Sequence, residues 1–227
     1  MTIETALLII ESILLALTVS LLLYSIREGR DRKSLLLEIG RATRILTREE
    51  YFLTVRDSML DAKAEVLGCI TGRFPGGDDS RRTKDIVESI ERLASSGVKV
   101  KYLMPKFPDR LHVGHLYTRA GAEVRYTGCL IVHDIRYTVV DEKLVVIGIP
   151  ESTGEKEATK KGYRIPSEAL AAILREHFYG CLEKTVGYED YVKELIKETG
   201  ASTKLLAREF RIDEKELERV AGQQSKT

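Results

Sequence analysis

The chain has 227 residues, with 36 basic and 35 acidic side chains and a formal net charge of +1. That length holds one ordinary domain with appendages or two small ones, and 43% apolar with 31% charged residues excludes global disorder. The near-zero total argues against a chain built to coat nucleic acid, while the absence of Asn and the abundance of Lys, Arg and Glu follow the trend of hyperthermophile proteins.

Residues Thr5 to Ile26 form an apolar run with Glu11 as its one charge. About 20 apolar residues suffice to cross hydrocarbon, so the run predicts a transmembrane helix. No Lys or Arg precedes it, and Arg27, Arg30, Arg32 and Lys33 follow directly. The positive-inside rule then expects a single-pass cell-membrane protein, N-terminus outside and the remainder cytoplasmic. From 27 to 48 there are seven basic and three acidic residues. That block suits orientation or anionic lipid head groups. Residues 34–63 contain no Pro, and Leu35, Ile39, Ala42, Leu46 and Leu53 follow heptad-like spacing, which predicts a stalk helix able to pair with a second copy.

From Ala64 the pattern alternates. EVLGCIT (65–71) predicts a strand, and a helix with apolar Ile86, Val87, Ile90, Leu93 and Ala94 follows the RFPGGDDS loop. VKVKYLM (98–104) is a strand, 110–120 a helix, and AEVRYTG (122–128) the next strand. A long strand is expected from Cys129 to Asp141, turning through Asp-Glu-Lys into LVVIGIP (144–150) as a hairpin. Residues 151–161 read as a loop, GYRI as a short strand, and Ser167 as the cap of a helix to about Lys184. Strands alternating with helices and ending in a hairpin predict an α/β domain with a mixed sheet.

The hairpin carries a resemblance. DIRYTVVDEKLVVIGIPE (134–151) resembles the signature of the phospholipase D superfamily, H-x-K-x-x-x-x-D followed by a Gly-Ser-x-Asn turn. Asp134 stands in the histidine slot, Arg136 in the lysine slot, Asp141 in the aspartate slot, Gly148 in the glycine slot and Glu151 in the asparagine slot. Placing His133 in the histidine slot instead loses every other position and turns the residue to the other strand face. The resemblance spans about residues 49 to 185. It implies a phospholipase-D-like mixed sheet flanked by helices, and it implies pairing, because family enzymes combine two such motifs from one chain or a dimer. In the family one histidine attacks phosphorus and the other protonates the leaving oxygen, tasks that need a pKa near neutrality. An aspartate there adds negative charge beside an anionic phosphate. No catalytic residue is therefore expected. Arg136, with Asp134, is the candidate ligand-binding pair, because a guanidinium suits bidentate contact with an anion. RYTVVDEKLVVIG is also similar to degenerate domains of this superfamily that act as ligand sensors in archaeal sugar-responsive transcription regulators.

Other residues carry less. His112 and His115 share a helix face without further ligands, His177 stands alone, and Cys69, Cys129 and Cys181 form no C-x-x-C pair. No metal and no cofactor are expected. The C-terminal segment reads as three short helices with helix-turn-helix spacing at Leu206, Ala207, Phe210, Ile212, Leu217 and Val220. Arg211 replaces the usual turn glycine, and 187–222 carries nine acids against seven bases, which disfavours DNA.

Four segments are thus expected: an anchor (1–26), a basic juxtamembrane stalk helix (27–48), a phospholipase-D-like domain (49–186) and a helical module (187–227). The expected role is non-catalytic sensing, scaffolding or regulation at the membrane, as a homodimer with an anionic ligand and without nucleic acid. A membrane-tethered phosphodiesterase and a tethered transcription regulator are the alternatives.

Overall fold

The computed structural model describes residues 13–29, 33, 40, 43–75, 78–129, 132, 135–150 and 159–222. Contacts divide the chain into two compact units, Met1–Ala42 and Thr43–Thr227.

In the first unit residues 13–29 form helix α1, with Thr18 and Ser20 hydroxyls donating to the carbonyls of Leu14 and Ala16 at 2.8 Å. The rise of 1.5 Å per residue gives these described residues a length of about 25 Å. The described stretch includes Arg27 and Glu28. Among the described residues no helix is long and apolar enough to cross a membrane. This overturns the expected transmembrane helix over 5–26, its place in the fold class, and the single-pass membrane localisation. Residues 5–12 of that run lie outside the described residues.

The second unit opens with strand β1 (Arg44–Leu46) and helix α2 (Arg48–Leu60). The expected continuous stalk helix is therefore broken. The cause is a capping box. The Thr47 hydroxyl accepts from the Glu50 N–H at 3.3 Å, and the Glu50 carboxylate accepts from the Thr47 N–H at 2.8 Å. Leu46, assigned by spacing to a heptad seam, is a strand residue buried in the core of this unit. Leu35, Ile39 and Ala42 lie outside the described residues.

Three parallel strands, β2 (Glu65–Cys69), β3 (Lys99–Pro105) and β4 (Glu123–Thr127), are joined by helices α3 (Asp78–Ser95) and α4 (Leu111–Arg119). Such crossovers are what parallel pairing requires. Strands β5 (Arg136–Val140), β6 (Leu144–Pro150) and β7 (Thr159–Pro166) form an antiparallel meander beside β2. Helix α5 (Glu168–Leu182) follows, and β8 (Val186–Gly187) closes the far edge on β4. The sheet order is β1-β7-β6-β5-β2-β3-β4-β8. The mixed α/β architecture expected from the sequence is present. The long strand expected from Cys129 is shorter: β5 begins at Arg136, and Cys129 donates its N–H to the Thr127 hydroxyl at 3.1 Å in a side-chain turn after β4.

Alternation along the strands splits the core into two layers. Val66, Tyr102, Tyr126, Val140 and Val146 pack with α2, α3 and α4. Leu67, Cys69, Leu103, Tyr137, Val139 and Val145 pack with Ala171 and Phe178 of α5.

Helices α6 (Tyr188–Thr199), α7 (Thr203–Phe210) and α8 (Glu214–Gly222) lie in the same compact unit as the sheet, and their apolar faces join the first layer. Arg211 takes the left-handed conformation (φ +52°) between α7 and α8, and its guanidinium stands 4.8 Å from the Phe74 ring centroid. His112 Nδ1 lies 2.9 Å from the Phe210 carbonyl, and His115 Nδ1 3.2 Å from the Tyr188 hydroxyl. Both histidines thereby tie α4 to the C-terminal helices. Burial pulls the His115 pKa below its ordinary value, against the nearby Glu216 carboxylate.

Candidate functional site: the Arg136 pocket

Every residue of β5 is buried, and alternation decides what each one meets. Arg136 and Thr138 face the α2 side, while Tyr137 faces α5. Arg136 is 8% exposed. Its partner across the hairpin is Gly148, which in turn stands opposite Gly162 on β7. A Cβ at Gly148 would lie 2.8 Å from Tyr51 Cζ, and one at Gly162 would lie 2.7 Å from Tyr51 Cδ2. The two missing Cβ atoms let the Tyr51 ring lie against the backbone of β6 and β7, next to Arg136. Burial pushes the Tyr51 hydroxyl up to about 12, opposed by the Arg136 cation, so it is a neutral hydroxyl at pH 7.

Above Arg136 is a cavity of about 380 Å³. It is bounded by α2, the start of α3 and the 70–75 loop, which leaves the carboxyl end of β2. That is the usual side for ligands in open α/β sheets. Tyr51, Phe52, Phe74, Tyr102 and Tyr117 give it aromatic walls. Arg48, Arg73 and Arg136 line it as cations, against Asp79 as its acid. Asp79 is held by Arg48 at 2.8 Å and Arg82 at 2.9 Å. Among the described lining residues the cations outnumber the acids. A guanidinium at the base can bind an oxyanion bidentately, while the aromatic walls shelter an attached apolar or sugar-like body. Among the described residues no histidine or lysine lines this cavity.

The motif positions separate. Arg136 and Gly148 are paired beside the cavity. Asp141 lies at the other end of β5 and does different work. Its carboxylate accepts N–H bonds from Lys63 (2.7 Å), Ala64 (2.8 Å) and Glu65 (2.9 Å), clamping the hairpin turn to the start of β2. Burial pulls its pKa up, but those three N–H groups and Lys143 hold it below the ordinary carboxylate value. Asp134, the other half of the expected ligand-binding pair, and Glu151 lie outside the described residues, as does His133.

Sequence reasoning missed two groups. Arg48, Tyr51 and Val55 reach the cavity from α2, and the Thr47-x-x-Glu50 capping box was the signal that a helix starts there. On the other sheet face Cys129, His177 and Cys181 come together. The signal for that pair of helical residues was their spacing of four.

No family model and no curated protein matches the chain. Solved structures do. The phospholipase D family member Nuc from Salmonella typhimurium is 15% identical, over 64% of this chain and 95% of that one, with a TM-score of 0.50. NucT from Helicobacter pylori is 16% identical over 64% and 98%, with a TM-score of 0.49. TrmBL2, described as an archaeal chromatin protein with a novel mode of DNA binding, is 15% identical over 78% and 70%, with a TM-score of 0.49. The likeness to Nuc, together with the eight-stranded mixed sheet flanked by helices, shows a phospholipase-D-like fold.

Proposed function

We propose that this domain is a binding module that takes a small anionic molecule into the Arg136 pocket, for sensing or regulation rather than phosphodiester hydrolysis. One observation carries the reading: a buried guanidinium at the base of an aromatic-walled cavity of about 380 Å³, within the size range of small-molecule sites. Hydrolysis of a phosphodiester needs a group that gives and takes protons near neutrality. The described lining supplies arginines, Asp79 and the tyrosines Tyr51, Tyr102 and Tyr117, whose hydroxyls burial pushes up, that of Tyr51 to about 12, and it holds no histidine to exchange protons near neutrality.

The test is thermal unfolding and calorimetry with inorganic phosphate, hexose phosphates and nucleoside monophosphates. A ligand at 100 times its Kd stabilises by about 2.7 kcal/mol, or about 5–10 °C for a unit of this size. Arg136→Met is expected to abolish that shift while its unliganded melting remains cooperative. Hydrolysis of bis(p-nitrophenyl) phosphate by the wild type, lost in Arg136→Met, would overturn the reading in favour of an enzyme.

A further inference from the structure

On the sheet face away from the Arg136 pocket, three potential metal ligands converge. His177 and Cys181 are four apart on α5, so they share one helix face. Cys129 arrives from the turn after β4. Cys181 Sγ is 3.4 Å from Cys129 Sγ and 3.4 Å from His177 Nε2, and all three ligand atoms lie within 4.8 Å of one another. Zinc bonds of about 2.3 Å to sulfur and 2.0–2.1 Å to nitrogen imply tetrahedral edges of about 3.8 Å for S···S and 3.5 Å for S···N. The Cys129–Cys181 edge must open by about 0.4 Å and the Cys181–His177 edge by about 0.1 Å, while the Cys129–His177 edge, within 4.8 Å, must settle at about 3.5 Å. The residues are half-buried, so the group is both sheltered and reachable.

His177 is also held on its far side by a tyrosine. Tyr137 is fully buried, and its hydroxyl lies 2.8 Å from His177 Nδ1 and 3.4 Å from the Leu174 carbonyl. With Nδ1–H donating to the tyrosine oxygen and the tyrosine O–H donating to Leu174, the Nε2 lone pair faces the two thiols. This is the outer-shell arrangement that orients metal-bound histidines.

We propose that Cys129, His177 and Cys181 bind a thiophilic divalent cation of the zinc type, with a water molecule or an exogenous ligand in the fourth position. Binding breaks two S–H bonds and forms two metal–thiolate bonds. Two protons go to solvent, and no electrons are exchanged. The dication and two thiolates sum to zero charge, which suits a half-buried site. Burial and the neighbouring Cys129 push the Cys181 thiol up to about 11, so the metal-free protein holds it protonated and the cation supplies the drive for deprotonation. No other His, Cys or carboxylate of the described residues joins the group. Cys69 stays apart, its thiol 3.6 Å from the Ile135 carbonyl.

The full chain, reduced and stripped with chelator, is titrated with Co²⁺. Expected are one equivalent bound, a thiolate-to-cobalt charge-transfer band, and the visible bands of tetrahedral cobalt, all displaced by Zn²⁺. Cys129→Ser and Cys181→Ser lose this complex, Cys69→Ser keeps it, and Tyr137→Phe binds about 10–100-fold more weakly. X-ray absorption on the wild-type zinc complex gives two sulfurs in the first shell, a readout that needs no variant to fold. Substoichiometric uptake, a sulfur-free first shell, a spectrum unchanged in Cys181→Ser, or a Cys129–Cys181 disulfide in the metal-treated protein would each overturn the proposal.

Discussion

Gly148 tests how the pocket is built. A Cβ there would meet two Tyr51 ring carbons at 2.8 and 3.1 Å and its hydroxyl oxygen at 3.0 Å, where unstrained carbon contacts rest at about 3.5–4.0 Å. The ring is buried, bounded on one side by Phe52 at 5.3 Å between centroids and next to Arg136, so it can yield only toward the cavity it walls, giving up its packing on β6 and β7. Overpacking of this kind costs about 1–3 kcal/mol. Replacing a glycine returns about 0.4–1 kcal/mol through the unfolded chain. Gly148→Ala should therefore destabilise by about 1–2 kcal/mol and lower Tm by about 2–8 °C. Urea unfolding of the wild type, Gly148→Ala, Tyr51→Ala and the double variant completes the cycle. In the Tyr51→Ala background the added methyl meets no ring, so its cost should vanish or change sign, a coupling of about 1–3 kcal/mol. A cost below about 0.5 kcal/mol in the wild type, or an equal cost in both backgrounds, would refute the packing argument.

Two further predictions address the joints around the sheet. Asp141→Ala removes the acceptor for three backbone N–H groups and places alanine at φ +49°, so a loss of about 1–3 kcal/mol is expected. Asp141→Asn tolerates the left-handed backbone and should cost less. The folded Asp141 pKa lies below its unfolded value, so its contribution is complete above about pH 4 and is lost as pH falls through the folded value. The stability gap between wild type and Asp141→Asn should hold from neutral pH to about 5 and close below 4, which urea titrations across that range will show. Thr47→Ala should cost about 1 kcal/mol by removing the α2 cap, with Thr47→Ser near wild type in a thermal melt.

The strand–helix alternation was legible because β2 to β4 are continuous apolar runs bounded by turn residues, and because Gly97 and Gly121, with positive φ, stop the helices before β3 and β4. The break between β1 and α2 was equally written, in Thr47 and Glu50, but the heptad-like spacing across it drew the residues into one helix. Leu46 fits a helical period and a strand equally well, since one residue carries no period; its pairing with Gly162 on β7 decided the matter. The aromatic walls were not legible. Tyr51 reaches Arg136 only because two glycines on strands paired across the sheet leave room for its ring, a tertiary coincidence with no local signal. The same holds for Cys129, brought to His177 and Cys181 by strand order.

The period of two on β5 decides which of its side chains reach the cavity and which reach the opposite sheet face. Arg136 and Thr138 point to the cavity, while Tyr137 points to His177 and the two thiols. A slip of one residue would exchange them, placing a guanidinium among the thiols and a phenol under Tyr51. Two features oppose that slip. The Asp141 carboxylate fixes the turn to residues 63–65, and its place there is marked by positive φ at Asp141 and Glu142. Gly148 must stand opposite Arg136, because a side chain in its place would meet Tyr51. Neither feature involves proton transfer. Asp141 and Gly148 serve register and packing, which the fold needs whether or not it hydrolyses anything.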